Sequence, residues 1–598
     1  MQTLFPYLFS LNQLNMSKTF KYITAITFLF IGLQTFAQKK DENIGTEVVN
    51  VVKPYTPTIS DAFKVKETPV IEDETNTQKE EIKYNIFSFP VASTFTPAKG
   101  RAADVDKSAK ERIFKNYATL GVGSYGTVNG ELFITENLSN TDYVGGMLRH
   151  LSSQGGINDV KLDDKYYNTA LDLTYGSRTR EMDWNADLGY KHQMYNWYGL
   201  PTEFVAFTDE VINGISEQQT YQTLSLGAKL GMKDSFMNET SLQFKRFWDS
   251  HGSQENRFFI KPGIDFEVDN YKFKADFVAD YVGGSFEKDY SAISDISYSY
   301  LNFGVQPSIL LQQDDLSVQA GAGFFYSSGK FNNETDGKFY IFPQVKASYK
   351  LVGDIMIAYA GAEGTLKQNT FADFVEENKF VSPTLAIAPT NQQYDVYVGL
   401  KGKLANTVAF NVRGSYMAED DKAFFMANPY EISNVNVLGY TYGNSFGVVY
   451  DNLTTISVFG ELKMDFSKNV AFGINGTFNS YTTDQAEAWN LPSMKVGANL
   501  DVNITKKWYA GTNIFFVGER KDMFTTVDSM DPLNPFIQKA VTLDSYFDLN
   551  AHLGYKHSER LTGFLKLNNI ANQQYERWMN YPVQGFQFLI GANYKFDF

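Results

Sequence analysis

Apolar residues recur at every second position over long stretches of this sequence. In the terminal segment GFQFLIGANYKFDF, residues 585–598, every second residue counted back from Phe598 is apolar, and most of the residues between them are polar or glycine. Because successive side chains of a β-strand point to opposite faces, this segment is predicted to form one long strand with an apolar and a polar face. The same alternation continues for nine to eleven residues at 224–232, 258–268, 271–281 and 494–504.

Strands of this length are typical of membrane barrels, in which about 9–11 tilted residues cross the bilayer. Strands of globular proteins usually have only about 5–6 residues. An open sheet edge in lipid would leave backbone groups without hydrogen bonds, so a sheet in a membrane must close on itself. The alternation therefore predicts an all-β fold, a transmembrane antiparallel β-barrel.

Short polar connections separate the strands and alternate with longer ones. Tight turns are predicted at 137–141, 177–181, 233–235, 269–270, 314–315, 353–354, 405–406, 467–468, 506–507 and 558–559. Longer connections fall at 196–216, 284–294, 367–391, 418–445, 481–492 and 520–541. Outer-membrane barrels have this asymmetry between short periplasmic turns and long external loops. Ten turns, with both chain ends in the periplasm, predict an outer-membrane barrel of about 22 strands over residues 117–598, within a range of 20–24.

The alternation also assigns side chains to faces. The lipid face is predicted to include Ile590, Phe588, Leu226, Phe266 and Val502, and the lumenal face Lys595, Lys229, Asp265 and Asn503. Aromatic residues near strand ends are predicted to form girdles at the membrane interfaces. They are Trp184, Tyr195, Trp197, Tyr198 and Trp508.

Residues 1–37 have the pattern of a cleaved secretory signal peptide. Lys18 and Lys21 precede an apolar stretch, and residues 35–37 place small side chains where a signal peptidase recognises them. The apolar stretch is too short to span a hydrocarbon layer about 30 Å thick. Met16 is the predicted true start, and export to the outer membrane of a Gram-negative cell is expected.

Residues 38–116 are predicted to form a short extended segment that lies in the periplasm or partly in the barrel lumen. Its prolines interrupt any central sheet strand, because proline lacks the backbone donor that a strand needs. They are Pro54, Pro57, Pro69, Pro90 and Pro97. One apolar stretch within the segment is a candidate lumen-filling strand, Ile86, Phe87, Ser88 and Phe89.

Charge and composition exclude several functions. The net charge is −15, and residues 38–116 hold 13 basic and 13 acidic residues, so the predicted barrel itself is acidic. An acidic body argues against a nucleic-acid partner. There is no cysteine, and the five histidines share no metal-ligand spacing. No Ser/His/Asp constellation or phosphate-binding glycine loop is evident, so we expect no enzyme activity and no catalytic, cofactor-binding or metal-binding residue.

The last strands resemble those of TonB-dependent receptors. That family commonly shows an Asn-Leu-x-Asp-x-x-Tyr stretch, then a Pro-Gly pair and a final strand that ends in an aromatic residue. The comparable positions here are Asn569, Ile570, Asn572, Tyr575, Pro582, Gly585 and Phe598. Phe586 replaces the usual arginine. The resemblance implies a 22-stranded barrel in substrate uptake across the outer membrane, with TonB as a partner and with the terminal strand recognised by the barrel assembly machinery.

The N-terminal segment departs from this family. Its members carry a large globular plug inside the barrel, and residues 38–115 are too few and too interrupted to form one. One stretch is similar to the TonB box, a short peptide that adds a strand to its partner, Glu47, Val48, Val49, Asn50, Val51 and Val52. The alternative for this stretch is a strand that pairs with the barrel wall or with another outer-membrane or periplasmic subunit.

Three functions remain open on the sequence. The first is an uptake receptor, whose loops at 367–391, 418–445 and 520–541 gather a ligand. The second is a plugless structural subunit of a larger outer-membrane assembly for secretion or biogenesis, closed by a partner. The third is a passive porin. Because a ring of about 22 strands is too wide for its own side chains to fill, the first two functions require something that closes it.

Overall fold

The computed structural model describes residues 112–598, apart from 234, 270, 292–293, 333, 431–437 and 528–535. The predicted signal peptide, the TonB-box-like stretch 47–52 and the candidate lumen-filling strand 86–89 lie outside the described residues. Only the end of the segment 38–116 is described.

Twenty-two antiparallel strands form one sheet. They are β1 (Asn116–Gly123), β2 (Val128–Asn137), β3 (Asp142–Ser153), β4 (Tyr166–Arg178), β5 (Met182–Asn196), β6 (Gln218–Met232), β7 (Met237–Asp249), β8 (Gln254–Val268), β9 (Tyr271–Phe286), β10 (Ile296–Gln313), β11 (Leu316–Phe331), β12 (Glu334–Val352), β13 (Met356–Lys367), β14 (Thr390–Ala405), β15 (Val408–Ala427), β16 (Phe446–Ser467), β17 (Val470–Thr483), β18 (Met494–Asn503), β19 (Trp508–Val517), β22 (Tyr546–Lys556), β23 (Leu561–Asn568) and β26 (Gln587–Phe596). The sheet closes where β1 pairs with β26, with Asn116 opposite Phe596. The predicted barrel and its strand count are confirmed.

A few short elements lie outside the ring. Two hairpins are formed by β20 (Arg520–Val527) with β21 (Phe536–Leu543), and by β24 (Glu576–Trp578) with β25 (Tyr581–Pro582). The α-helices among the described residues are α1 (Asp209–Gly214) and α2 (Phe371–Glu377), and Ser124–Gly126 form a 3₁₀ turn. No helix in the described part of the chain is both long enough and apolar enough to cross a membrane.

The two ends of the barrel differ as the sequence predicts. All ten predicted tight turns join neighbouring barrel strands at one end, which we call the turn end, and both Arg112 and Phe598 lie there. The opposite end, the loop end, carries the longer connections. Two of these were not predicted, at 154–165 and 569–586. The loop expected from 418 begins only at 428, because β15 continues to Ala427.

The predicted alternation of faces is also present. Leu226, Phe266, Phe588 and Ile590 leave 43–56% of their surface exposed on the outside of the barrel. Lys229 lies on the opposite face, where it lines a recess of the lumenal wall with Asp187 and Gln243. The sheet therefore has an apolar outer face and a polar inner face.

Arginine on the outer face should destabilise the barrel according to its depth. Leu226 lies in the middle of β6, so Leu226→Arg is expected to cost about 2–4 kcal/mol. Val502, which the sequence suggests is near mid-strand, is next to the last residue of β18 and close to the turn end, so Val502→Arg is expected to cost only about 0–1 kcal/mol. The lumenal Asp501→Asn is the control. Heat-modifiable gel migration across a urea series measures all three, and equal loss for both arginine variants would contradict the assigned depths.

Candidate functional site

The loops at the loop end fold inward and pack on one another across the mouth of the barrel. We call this assembly the cap; it consists of the described residues of 197–217, 368–389, 428–445, 484–493, 518–545 and 569–586. Its buried apolar cluster unites three sectors of the ring. The first is β6–β10, with Tyr221, Phe247, Val282, Phe286 and Tyr298; the second is β15–β16, with Phe425 and Phe446; the third is the last loop, with Met579 and Tyr581. Because these sectors are spread around the barrel, the cluster crosses its mouth.

Helix α2 occupies the centre of the cap, beside the wall of β6–β10. The hydroxyl of Thr370 caps the helix by accepting a hydrogen bond from the Asp373 amide at 2.9 Å. Phe371, Phe374 and Val375 recur at the spacing of one helical face, and all three are buried in the apolar cluster. The helix lies within the stretch 367–391 that is predicted as a loop.

A buried carboxylate joins α2 to the barrel wall. Glu255 of β8 is 2% exposed and accepts hydrogen bonds from the amides of Phe371 at 2.7 Å and Ala372 at 3.1 Å. Its Oε2 also accepts a hydrogen bond from the Tyr298 hydroxyl at 2.7 Å. The first amides of a helix have no partner within the helix, so this carboxylate satisfies groups that burial would otherwise leave unpaired.

The polar side of α2 faces basic residues of the lumenal wall. Asp373 lies 3.3 Å from Arg257 and 3.5 Å from Lys245. Glu376 lies 2.7 Å from Lys191 and 3.0 Å from Lys379 of its own loop. The helix is therefore held in two ways: its apolar face packs in the buried cluster, and its acidic residues form ion pairs with the wall.

Tyr581 links the last loop to the rest of the cap. It is 1% exposed and stacks on Phe380 with ring centroids 3.6 Å apart. Its hydroxyl donates a hydrogen bond to the Asn444 carbonyl at 2.5 Å, and Tyr198 donates one to the Pro582 carbonyl at 2.9 Å. Each of these bonds joins two different loops.

Three of the aromatic residues predicted for the interfacial girdles are instead part of this packing. Tyr195, on the lumenal face of β5, packs against the buried apolar cluster, and Lys379 lies over its ring. Trp197 is 1% exposed and contacts Tyr440 edge to face, and Tyr198 packs against Tyr581. Their predicted position was wrong, because Tyr195 faces the lumen and the chain turns inward after β5 instead of continuing along the outer surface. Trp508, which is 41% exposed at the turn end, does fit a girdle.

The hairpin β20–β21 is anchored to the rest of the cap and to the end of β15 by a buried carboxyl group. Asp522 is fully buried and accepts hydrogen bonds from the amides of Ala427 at 3.0 Å and Met523 at 2.8 Å, and from the Asn490 side chain at 2.9 Å. Arg520 donates to the carbonyls of residues 576 and 577 at 2.7 and 2.5 Å. Burial raises the pKa of Asp522 to about 6, since the hydrogen bonds only partly compensate for the lost hydration.

Cap stability should therefore depend on pH through Asp522. Its pKa is higher in the folded cap than its ordinary value of 3.8, so the folded state binds this proton more tightly than the unfolded state does. The stabilisation is complete below about pH 4 and is lost as the pH rises through about 6, with an upper limit of about 3 kcal/mol. Hydrogen exchange of the β20–β21 amides, corrected for intrinsic rates, should show looser protection at pH 7.5 than at pH 5.

Asp522→Asn is the matched control for this prediction. The amide keeps a carbonyl oxygen for the backbone donors but cannot ionise, so its protection should not change between these two pH values. Equal pH dependence in the variant and the natural protein would contradict the assignment to Asp522.

The residues that carry the C-terminal resemblance shape the last loop. Asn569 and Asn572 both have positive φ, 46° and 50°, a conformation that asparagine tolerates better than most residues. The side-chain nitrogen of Asn569 donates to the carbonyls of residues 573 and 584, and the side-chain oxygen of Asn572 accepts from the Phe586 backbone amide at 2.7 Å. At Gly585 a Cβ would lie 2.4 Å from this oxygen, so a larger residue there would displace the Asn572 side chain from its bond to Phe586.

The other residues of that set lie around the same loop or at the opposite end. Tyr575 stacks on Tyr546 with centroids 3.8 Å apart, and the Ile570 amide donates to the Leu549 carbonyl at 2.8 Å. Phe598 is 83% exposed at the turn end. The set therefore fixes the fold of the loop between β23 and β26 and forms no single ligand site.

The lumenal wall below the cap is mainly polar. A recess of about 520 Å³ lies along β2–β8. Its side-chain lining combines Asp172, Asp187, Lys229 and Gln243 with Phe133, Met147 and Phe259. In the described part of the chain, no group of three or more histidine, aspartate or glutamate residues is placed to hold a metal ion.

Solved structures share this architecture. The ferripyoverdine receptor of the outer membrane of Pseudomonas aeruginosa aligns with a TM-score of 0.61 at 12% identity, over 81% of this chain and 72% of the receptor. The FrpB iron transporter from Neisseria meningitidis aligns with a TM-score of 0.62 at 11% identity, over 81% and 82%. The copper transporter OprC aligns with a TM-score of 0.58 at 12% identity, over 81% and 84%.

No family model matches the chain, and no curated protein sequence matches it. At these identities the three solved structures establish the fold, and the chain therefore has the 22-stranded barrel fold of TonB-dependent receptors, as its last strands indicate.

Proposed function

We propose that this protein is an outer-membrane receptor that takes up a substrate through a barrel closed by its own loops. The cap is the observation that carries the proposal. A passive porin keeps a water-filled channel, whereas here the buried cluster and the bonds between loops cross the mouth. A substrate that enters from the loop end must first rearrange these contacts, as expected of a receptor that admits particular solutes.

The orientation follows from the asymmetry of the barrel. The turn end and both chain ends are placed in the periplasm, and the loop end faces outside, because outer-membrane barrels have short periplasmic turns. The apolar outer face contacts membrane lipid, and the terminal strand β26 is proposed to engage the barrel assembly machinery. The signal-peptide pattern of residues 1–37 supports export.

The N-terminal segment is proposed to have two roles. Residues 47–52 would remain in the periplasm and add a strand to TonB, since alternate side chains of an extended valine-rich peptide can fill pockets while its backbone pairs. Residues 86–89 would help to fill the lumen. Support for both roles comes from the sequence alone, from the valine-rich stretch at 47–52 and the prolines that interrupt residues 38–111.

Purification from outer membranes tests the proposed function against the structural-subunit alternative. An uptake receptor should purify as a single barrel and should form a crosslink to TonB from a photo-reactive residue at position 49. The control position is 64, outside the valine-rich stretch. A stable stoichiometric assembly with other outer-membrane proteins, without a crosslink from position 49, would overturn the receptor proposal in favour of the structural subunit.

A further inference from the structure

Three basic side chains converge on one patch of the lumenal wall beneath the cap. Lys191, Lys245 and Arg257 lie on β5, β7 and β8, and their positions in the strand register place them on the lumenal face. In the closed cap, two carboxylates of α2, Asp373 and Glu376, form ion pairs with this patch. Apart from α2, the carboxylates beside these cations among the described residues are Asp280, which pairs with Arg257, and the buried Glu255, so the wall keeps a net positive charge at this patch.

We propose that Lys191, Lys245 and Arg257 form a binding site for a small solute with two or more carboxylate groups, and that α2 occupies this site in the closed protein. Asp373 and Glu376 are three positions apart, which places their Cβ atoms about 5–6 Å from each other on a helix. They present to the wall two carboxylates at the spacing of a small polycarboxylate. This inference rests on the proposed function, because the solute has to pass the cap to reach the wall.

The guanidinium of Arg257 is already held in position in the absence of a ligand. Asp280, which is 6% exposed, holds Arg257 through two hydrogen bonds of 2.9 and 2.7 Å. This fork uses Nε and one terminal nitrogen and leaves Nη1 directed at Asp373. A guanidinium that is already fixed loses little conformational freedom when a carboxylate binds to its remaining donors.

The carboxylates of α2 can be replaced without disrupting its core. The side chains of Asp373 and Glu376 are 48% and 62% exposed, and ion pairs of this kind contribute little net free energy. The apolar side of the helix is buried separately, through Phe371, Phe374 and Val375. A ligand that takes over the basic residues would therefore remove the ties between α2 and the wall and weaken the closed cap at that point.

Calorimetric titration of the purified full chain in detergent with citrate, at constant ionic strength, tests the site. In D373N/E376Q the wall has lost its internal competitor, so citrate should bind about tenfold more tightly than to the natural protein. In K191Q/K245Q binding should fall below detection. K229Q removes a lumenal lysine from β6 outside the patch and should bind citrate as the natural protein does. Heat-modifiable migration confirms that each variant is folded.

A second measurement separates competition at α2 from binding elsewhere. Citrate should speed hydrogen exchange of the amides at 371–377 in the natural protein, whereas spermidine at equal ionic strength should not. Unchanged exchange, or the same citrate affinity in D373N/E376Q and K191Q/K245Q, would overturn the proposed site. If citrate fails to bind but the protein still crosslinks to TonB, the proposed function stands without this site. If citrate binds to a protein that purifies as a structural subunit, the site stands without the proposed function.

Discussion

Replacing residues 370–387 by a short Gly-Ser linker is expected to open the loop end of the barrel. The replacement removes α2 and the apolar side chains of this loop that fill the centre of the cap, including Phe371, Phe374 and Leu385. In a protein that also lacks residues 38–111, single-channel conductance should rise roughly tenfold or more above that of the natural protein, because a ring of this size encloses more space than its side chains fill.

Comparison of the two single deletions with the double deletion shows which segment blocks the barrel. If the cap is the main barrier, loss of 370–387 alone gives most of the increase, and loss of 38–111 adds the contribution of a lumen-filling segment. The control inserts the same linker into the turn at 557–560, at the opposite end, and should leave conductance unchanged. A small conductance in the double deletion would show that the remaining loops close the mouth without α2.

Tyr581→Ala is expected to loosen the cap strongly. The ring is almost completely buried and packs on Phe380, Tyr198 and Phe446 at the junction of three loops. Removal of a large buried aromatic side chain typically costs about 3–5 kcal/mol, through lost contacts and the cavity that remains. Faster hydrogen exchange at 371–377 and 576–582, with unchanged exchange in the barrel strands, is the expected result.

Tyr581→Phe separates packing from hydrogen bonding in this test. It keeps the stacked ring and removes only the bond to the Asn444 carbonyl, so the expected cost is about 0.5–1.5 kcal/mol. If the alanine and phenylalanine variants exchanged equally fast, the aromatic stack would not be what holds the loops together.

The barrel could be predicted from the sequence because its signals are local. Alternation indicates the two faces of each strand, and short polar runs indicate each tight turn. Neither pattern depends on a residue that is distant in the sequence. The depth of Val502 was misjudged because alternation gives the face of a residue and not its distance from the membrane centre.

The cap could not be predicted in the same way. Trp197 and Tyr198 follow a strand, and an aromatic residue at that place has the same local pattern whether it faces a membrane interface or a loop core. The pair Lys191–Glu376 joins residues 185 positions apart, so no local pattern indicates it. One signal was available: Thr370 and Asp373 have the spacing of a helix cap, and the apolar residues that follow Thr370 have helical periodicity.

The bonds within the cap also imply an order of assembly. Gln584 donates to the Ser153 hydroxyl at 2.8 Å across 431 positions of sequence, and the Tyr198–Pro582 bond spans 384. Contacts between such distant residues are slow to form, because their loop-closure entropy must be overcome before they contribute stability. These two depend on the loop that leads into β26, the strand that completes the ring. The loops can therefore lock together only when the final hairpin has been added, and a barrel that still lacks this hairpin would be open at its loop end.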